Sequence, residues 1–140
     1  MRSRWQFVLQ VGPSLLYILG VFVAGSVPMP ALDLGPELSW DKVMHFLVFG
    51  GMLLLLLRAL AYLAPAWSAC VKVLVGAGTA SALGGLLELH QAGIPGRQAE
   101  LMDWVADTLG VALVAALWWG IRRGKGPRGG VAGQRAVGEG

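Results

Sequence analysis

Charge is scarce in this chain and cysteine nearly absent. Only 14% of its 140 residues are Asp, Glu, Lys or Arg, against about 25% in a typical soluble domain. Too little charge is therefore available to cover a water-facing surface. The single cysteine, Cys70, excludes an intramolecular disulfide and any metal site built on thiolates. No internal repeat is present, and no HExxH-type ligand spacing occurs. Ser39 and Ser81 have no motif context, so neither serine nor cysteine supplies a persuasive nucleophile.

Hydrocarbon takes the place of these groups. Hydrophobic residues make up 56% of the chain, and the mean hydropathy is +0.64. The length fits one domain. Apolar runs extend from Gln6 to Gly25, Val43 to Leu63, Ala69 to Leu89 and Leu101 to Ile121. Each is about 20 residues long, enough to cross a hydrocarbon core of about 30 Å as helix, and each is apolar all round, as lipid demands. The expected fold is all-α: a polytopic membrane protein with four transmembrane helices in a compact bundle. This domain occupies residues 1–121, and the Gly/Arg-rich basic tail, 122–140, is expected to be disordered. The third run, with Gly76, Gly78, Gly84 and Gly85, is expected in the middle of the bundle, because small residues allow close helix approach. Pro13 is expected to kink the first run. "SVPMPALDLGPELSW", residues 26–40, reads as an ordered, irregular loop.

Charges are distributed unevenly between the connections. Arg2, Arg4, Arg58, Lys72, Arg122, Arg123, Lys125, Arg128 and Arg135 fall on one side. The other side has Lys42 and Arg97, together with Asp33, Glu37, Asp41, Glu88, Glu100, Asp103 and Asp107. The positive-inside rule then places both termini in the cytoplasm and the acidic stretches outside. Trp5, Trp67, Trp118 and Trp119 at inner span ends, with Trp40 and Trp104 at outer ones, fit an aromatic belt. Residues 23–26, "VAGS", also look like a signal-peptidase site, but the preceding run is longer than a usual signal core, so retention of the first span is expected. This topology accounts for the pI of about 9.5 without nucleic-acid binding.

Ionisable groups lie at the lips of three spans. Asp41 and His45 are four apart at the start of the second, and Asp103 and Asp107 repeat that spacing in the fourth. Residues four apart share a helix face. Capping explains Asp41 or Asp103 taken singly. Glu88 instead sits near a helix C-terminus, where the dipole disfavours an anion. Ionisable groups within a span normally face the bundle interior and partner one another. Three helices thus present Asp41, His45, Glu88, Asp103 and Asp107 at similar depth, with Gln91 beside them and Arg97 near enough in sequence to reach over. Lys42 and Glu100 read chiefly as solvated interface charges, Lys42 also as a candidate substrate contact, and His90 as facing headgroups.

"DKVMHF" at 41–46 and "ELHQAGIPGRQAELMDWVADTLG" at 88–110 resemble the VanZ-like family of small bacterial membrane proteins. The family pattern, Asp-Lys-x-x-His-Phe followed by Glu-x-x-Gln, a Pro-x-Arg and Asp-x-x-x-Asn-x-x-Gly, falls on Asp41, Lys42, His45, Phe46, Glu88, Gln91, Pro95, Arg97, Asp103 and Gly110. The chain departs from it at Asp107, where the family usually has Asn. The resemblance implies a bacterial envelope setting and an association with low-level teicoplanin resistance.

The residues point to a site for an amphiphile such as a membrane lipid, and the resemblance extends this to a lipid-linked wall precursor or a lipoglycopeptide. Asp41, His45, Glu88 and Asp103 are the candidate acid/base groups, His45 being oriented by Asp41. Lys42, Gln91, Arg97 and Asp107 are the candidate substrate contacts, Arg97 as a bidentate anion holder. As an enzyme the chain would be a hydrolase or transferase on a lipid headgroup, with water as nucleophile. No cofactor is assigned, although His45, Glu88, Asp103 and Asp107 are donors that suit a divalent metal. The competing class is a non-catalytic interaction or scaffold protein whose polar cluster locks the helices together.

Overall fold

The computed structural model describes residues 3–27, 40–95, 97 and 99–123. The proline-containing stretch 28–39 and the tail from 124 onward lie outside the described residues, as do the expectations attached to them. Among the described residues there are four helices and no strand: α1 Arg4–Gly25, α2 Trp40–Leu63, α3 Ala69–Ala92 and α4 Leu101–Arg123. At 1.5 Å per residue they are about 33–36 Å long, and all four are long and apolar enough to span a membrane. The protein is a multi-pass membrane protein.

Local signals set the helix starts. Ser3 caps α1 in a reciprocal box, its Oγ accepting from the Gln6 amide while its own amide donates to Gln6 Oε1, both at 3.2 Å. Ser68 caps α3 by accepting from the Val71 amide at 3.3 Å. Pro13 does not end α1, which runs unbroken through it. Proline at 13 leaves the Leu9 carbonyl without its helical donor. Arg58 of α2 fills that gap, donating from Nη2 to Leu9 O at 2.9 Å and from Nε to Gln10 Oε1 at 3.0 Å. Two hydroxyls add further ties to α2: Ser14 donates to the Leu55 carbonyl and Tyr17 to the Val48 carbonyl, each at 3.0 Å.

The glycine-rich α3 is not the central helix; α2 is, packing broadly against α1, α3 and α4, whereas α3 only touches α1. The reason lies in where the glycines point. Gly50 of α2 and Gly110 of α4 lie at the α2–α4 crossing, where a Cβ on Gly110 would run into the Phe46 backbone carbonyl. Among the α3 glycines, Gly76 accepts Leu53 of α2 and Gly84 accepts the Asp107 side chain, but Gly78 faces open space. The core beneath is apolar, with Phe49, Met52, Leu53, Leu57, Ala80, Leu87 and Val111 buried together. Outward surfaces carry Leu9, Leu16, Leu19, Leu74, Leu89, Leu113 and Ile121, all exposed, as hydrocarbon-facing side chains must be in a bundle that small.

The helices alternate in direction. The start of α2, the end of α3 and the start of α4 therefore share one end of the bundle, the end that carries the acids.

Candidate functional site

A cluster of ionisable side chains lies at that end, above the apolar core. His45 stands one turn into α2, its ring parallel to buried Phe49 at 6.4 Å between centroids. Its Nδ1 meets Asp107 Oδ1 of α4 at 2.9 Å and lies 3.9 Å from Glu88 Oε1 of α3. Asp107 is fully buried and Glu88 nearly so. Three helices therefore meet at one imidazole. The other ring nitrogen, Nε2, is turned to Asp41 Oδ1 at 3.9 Å, beyond hydrogen-bond reach. Asp107, not Asp41, orients His45. The i,i+4 spacing does bring Asp41 onto the right face, but Asp41 is more than half exposed at the helix mouth, where water competes for it.

Gly84 explains why Asp107 can lie so deep. A Cβ at position 84 would stand 2.5 Å from Asp107 Oδ2, so the carboxylate occupies space that any side chain there would claim. Beside it, Ser81 and Thr108 share a hydrogen bond at 2.9 Å, and Trp104 Nε1 donates to the Ser81 carbonyl at 2.9 Å. These bonds hold α3 against α4 next to the cluster.

Glu88, which the helix dipole alone would disfavour at a C-terminus, finds its partner on the next helix. Its Oε2 accepts from the Glu100 backbone amide at 2.8 Å, immediately before α4, where helix-start amides lack intrahelical acceptors. Glu88 thus serves α4 as a cap supplied from α3. Side-chain chemistry does not disclose position 100 as a contributor, because its role runs through its backbone. The signal for it is an orphan amide at a helix start facing an acid with no other partner. The Glu100 side chain accepts from Lys42 Nζ at 3.0 Å, and the same ammonium stands 3.3 Å from Asp103 Oδ1. Lys42 and Glu100 are therefore not merely solvated charges. They form a bridge over the cluster, with Asp103 buried beneath it.

Two expected members are directed elsewhere. Arg97 does not reach over the acids: its Nη1 donates to the Val27 carbonyl at 3.0 Å, and among the described residues it makes no ion pair with Glu88 or Asp103. Buried Gln91 turns the same way, Nε2 donating to the Gly25 carbonyl at 3.3 Å. His90, expected among headgroups, is exposed but bonds Ser26 Oγ through Nε2 at 2.8 Å, with its ring 5.9 Å from Phe22. The end of α3 and the short segment following it thus fasten to the end of α1, whose last carbonyls have no helical donors.

Two sets of side chains have the donor types and mutual distances to hold a cation: Asp41, His45 and Asp103, and the wholly buried set His45, Glu88 and Asp107. Chemically, the site offers an imidazole held on one side by a buried carboxylate and turned on the other toward exposed Asp41 at the start of α2. A separate concavity of about 290 Å³ lies between Cys70, Val73, Leu74, Ala115, Ala116 and Trp119 at the opposite end; its lining is apolar and brings no chemistry.

A family model described as VanZ/LLP1 matches residues 4–122, from the first residue of α1 nearly to the end of α4. No curated protein and no solved structure matches the chain.

Proposed function

Since the chain belongs to the VanZ-like family, we propose that it binds or acts on an envelope amphiphile at the acidic end of the bundle. That amphiphile is a lipid, a lipid-linked wall precursor or a lipoglycopeptide, and the outcome is a contribution to teicoplanin-type resistance. The membrane is the bacterial inner membrane, with both termini cytoplasmic and the site facing out. One observation carries this reading. His45, Glu88, Asp103 and Asp107 are all buried, come from three helices, and lie within the first or last two turns of those helices, at one end of the bundle. Ionisable groups inside a span are costly to keep, and they mark ligand or proton pathways more often than scaffolding.

The division of labour follows the distances. Asp107 holds Nδ1 of His45, which leaves Nε2 facing the mouth to take or give a proton. This is the arrangement of a histidine–carboxylate pair that activates water, the nucleophile required when no serine or thiol is at hand. Lys42, on the bridge with Glu100 and Asp103, is placed to meet an anionic headgroup. The alternative, a scaffold whose polar cluster serves only to lock the helices, draws on the same contacts.

One comparison tests the proposal. The wild type, Glu88→Gln and His45→Gln are expressed in a teicoplanin-sensitive host; resistance is scored beside melting temperature and native mass spectra of the solubilised proteins. The amphiphile reading expects resistance and a bound adduct of defined mass in the wild type. Both are lost in the variants while the melting temperature of Glu88→Gln, the variant on which stability is read, holds or rises, because functional sites are often strained. If resistance and stability fall together and no adduct is seen, the cluster is structural.

A further inference from the structure

We propose that His45, Glu88 and Asp107 form a binding site for one divalent transition-metal cation of the zinc or manganese class. His45 coordinates through Nδ1, and Glu88 and Asp107 through one carboxylate oxygen each. The inference is independent of which amphiphile, if any, occupies the mouth.

Donor geometry comes first. The three donor atoms lie within 4.8 Å of one another, and all three residues are buried. Nδ1 stands 2.9 Å from Asp107 Oδ1 and 3.9 Å from Glu88 Oε1. Bonds of about 2.0–2.2 Å in a tetrahedral shell place donors roughly 3.3–3.6 Å apart, so small side-chain adjustments close the shell. One imidazole and two carboxylates form the kind of mixed set that zinc accepts with a fourth position left open.

One orphaned atom, Glu88 Oε1, points to a ligand independently of this spacing. Glu88 Oε1, Asp103 Oδ1 and Asp107 Oδ2 are fully buried without a hydrogen-bond partner among the described residues, but Asp103 Oδ1 has the Lys42 ammonium at 3.3 Å and Asp107 Oδ2 is turned to Gly84. Glu88 Oε1 faces the imidazole. Buried acceptors without donors are rare in native structures and costly to maintain. A divalent cation gives Glu88 Oε1 a partner and cancels both buried charges, whereas a proton between Nδ1 and Oδ1 satisfies only Asp107 Oδ1.

The surroundings agree. Imidazoles that bind metals through one nitrogen commonly present the other to a carboxylate, which fixes the ring. With Nδ1 taken by the cation, the Nε2 proton has Asp41 Oδ1 as its nearest carboxylate, 3.9 Å away before the cation binds, so a small closure makes Asp41 a positioning residue in the metal-bound form. Asp103 is excluded from the shell because it lies against Lys42.

The test uses untagged full-length protein in mild detergent carrying Cys70→Ser, which removes the one exposed thiol. After chelator treatment it is titrated with Zn²⁺ alone and with Mn²⁺ alone, read by elemental analysis after gel filtration and by thermal unfolding. The expected result is about one ion retained per chain and a melting temperature that rises and saturates at one equivalent. Glu88→Gln and Asp107→Asn, which keep side-chain shape, should lose retention. Asp41→Asn should weaken binding by about tenfold with stoichiometry unchanged. If those variants fail to fold, the parent titration decides alone. Neither ion retained and no thermal shift would overturn the site, as would undiminished retention in folded Glu88→Gln/Asp107→Asn.

Discussion

At the residue scale, His45 shows what spacing along a chain discloses and what it hides. Charges in hydrocarbon are conspicuous, so the sequence alone marks His45, Glu88, Asp103 and Asp107 as a converging set. Their pairing is not legible there. Four-residue spacing reports which groups share a helix face, which makes Asp41 the apparent partner of His45. Register between helices has no such signature, and it is α4, set against α2 by Gly50 and Gly110, that delivers Asp107 to Nδ1 at 2.9 Å. Substitution separates the two assignments. Asp107→Leu strands a buried imidazole nitrogen and should cost about 3–5 kcal/mol of unfolding free energy, the range for breaking a buried pair. Asp41→Leu, at an exposed position, should change it by less than about 1 kcal/mol. Denaturation in mixed micelles measures both, and the reverse order would return the orienting role to Asp41.

At the element scale, the four helices are readable because apolar runs of membrane length are the strongest signal a sequence carries. The order of burial is not, because counting glycines in α3 says nothing about which way they face. The α2–α4 crossing depends on one position. Gly110→Ala places a methyl group against the Phe46 carbonyl, which is backbone and cannot rotate away, so the helices must part at a cost of about 1–3 kcal/mol. Gly78→Ala meets nothing within 4 Å and should be neutral or stabilising by up to about 1 kcal/mol, the helix-propensity gain. Equal effects in the two would mean that α2 and α4 are not in backbone contact. Pro13 and Arg58 provide a second test. Pro13→Ala restores the amide that Leu9 O lacks, so Arg58→Leu should cost about 1 kcal/mol in the parent and less in the Pro13→Ala background. Additive effects in that double-mutant cycle would detach the arginine from the proline.

At the scale of the whole molecule, basic and acidic groups are divided between the two ends. Arg4, Arg58, Lys72, Arg122 and Arg123 gather where α1 begins and α4 finishes, whereas Asp41, Glu88, Glu100, Asp103 and Asp107 gather at the other end. The orientation proposed from this division is checked with an impermeant maleimide on intact cells. Native Cys70 should resist labelling, and Glu100→Cys in a Cys70→Ser background should react; labelling of both from the same side would refute the topology. The same division has an electrophoretic consequence. A membrane potential negative inside acts on a crossing charge with about 2.3 kcal/mol per 100 mV, and it pushes acids outward while holding cations back. In the proposed orientation, Glu100 and the acids at the start of α4 would move outward with that field. In cells depolarised during synthesis, Glu100→Cys should therefore stay hidden from the maleimide in a larger share of chains, so that biogenesis of this small bundle draws on the energised state of its membrane.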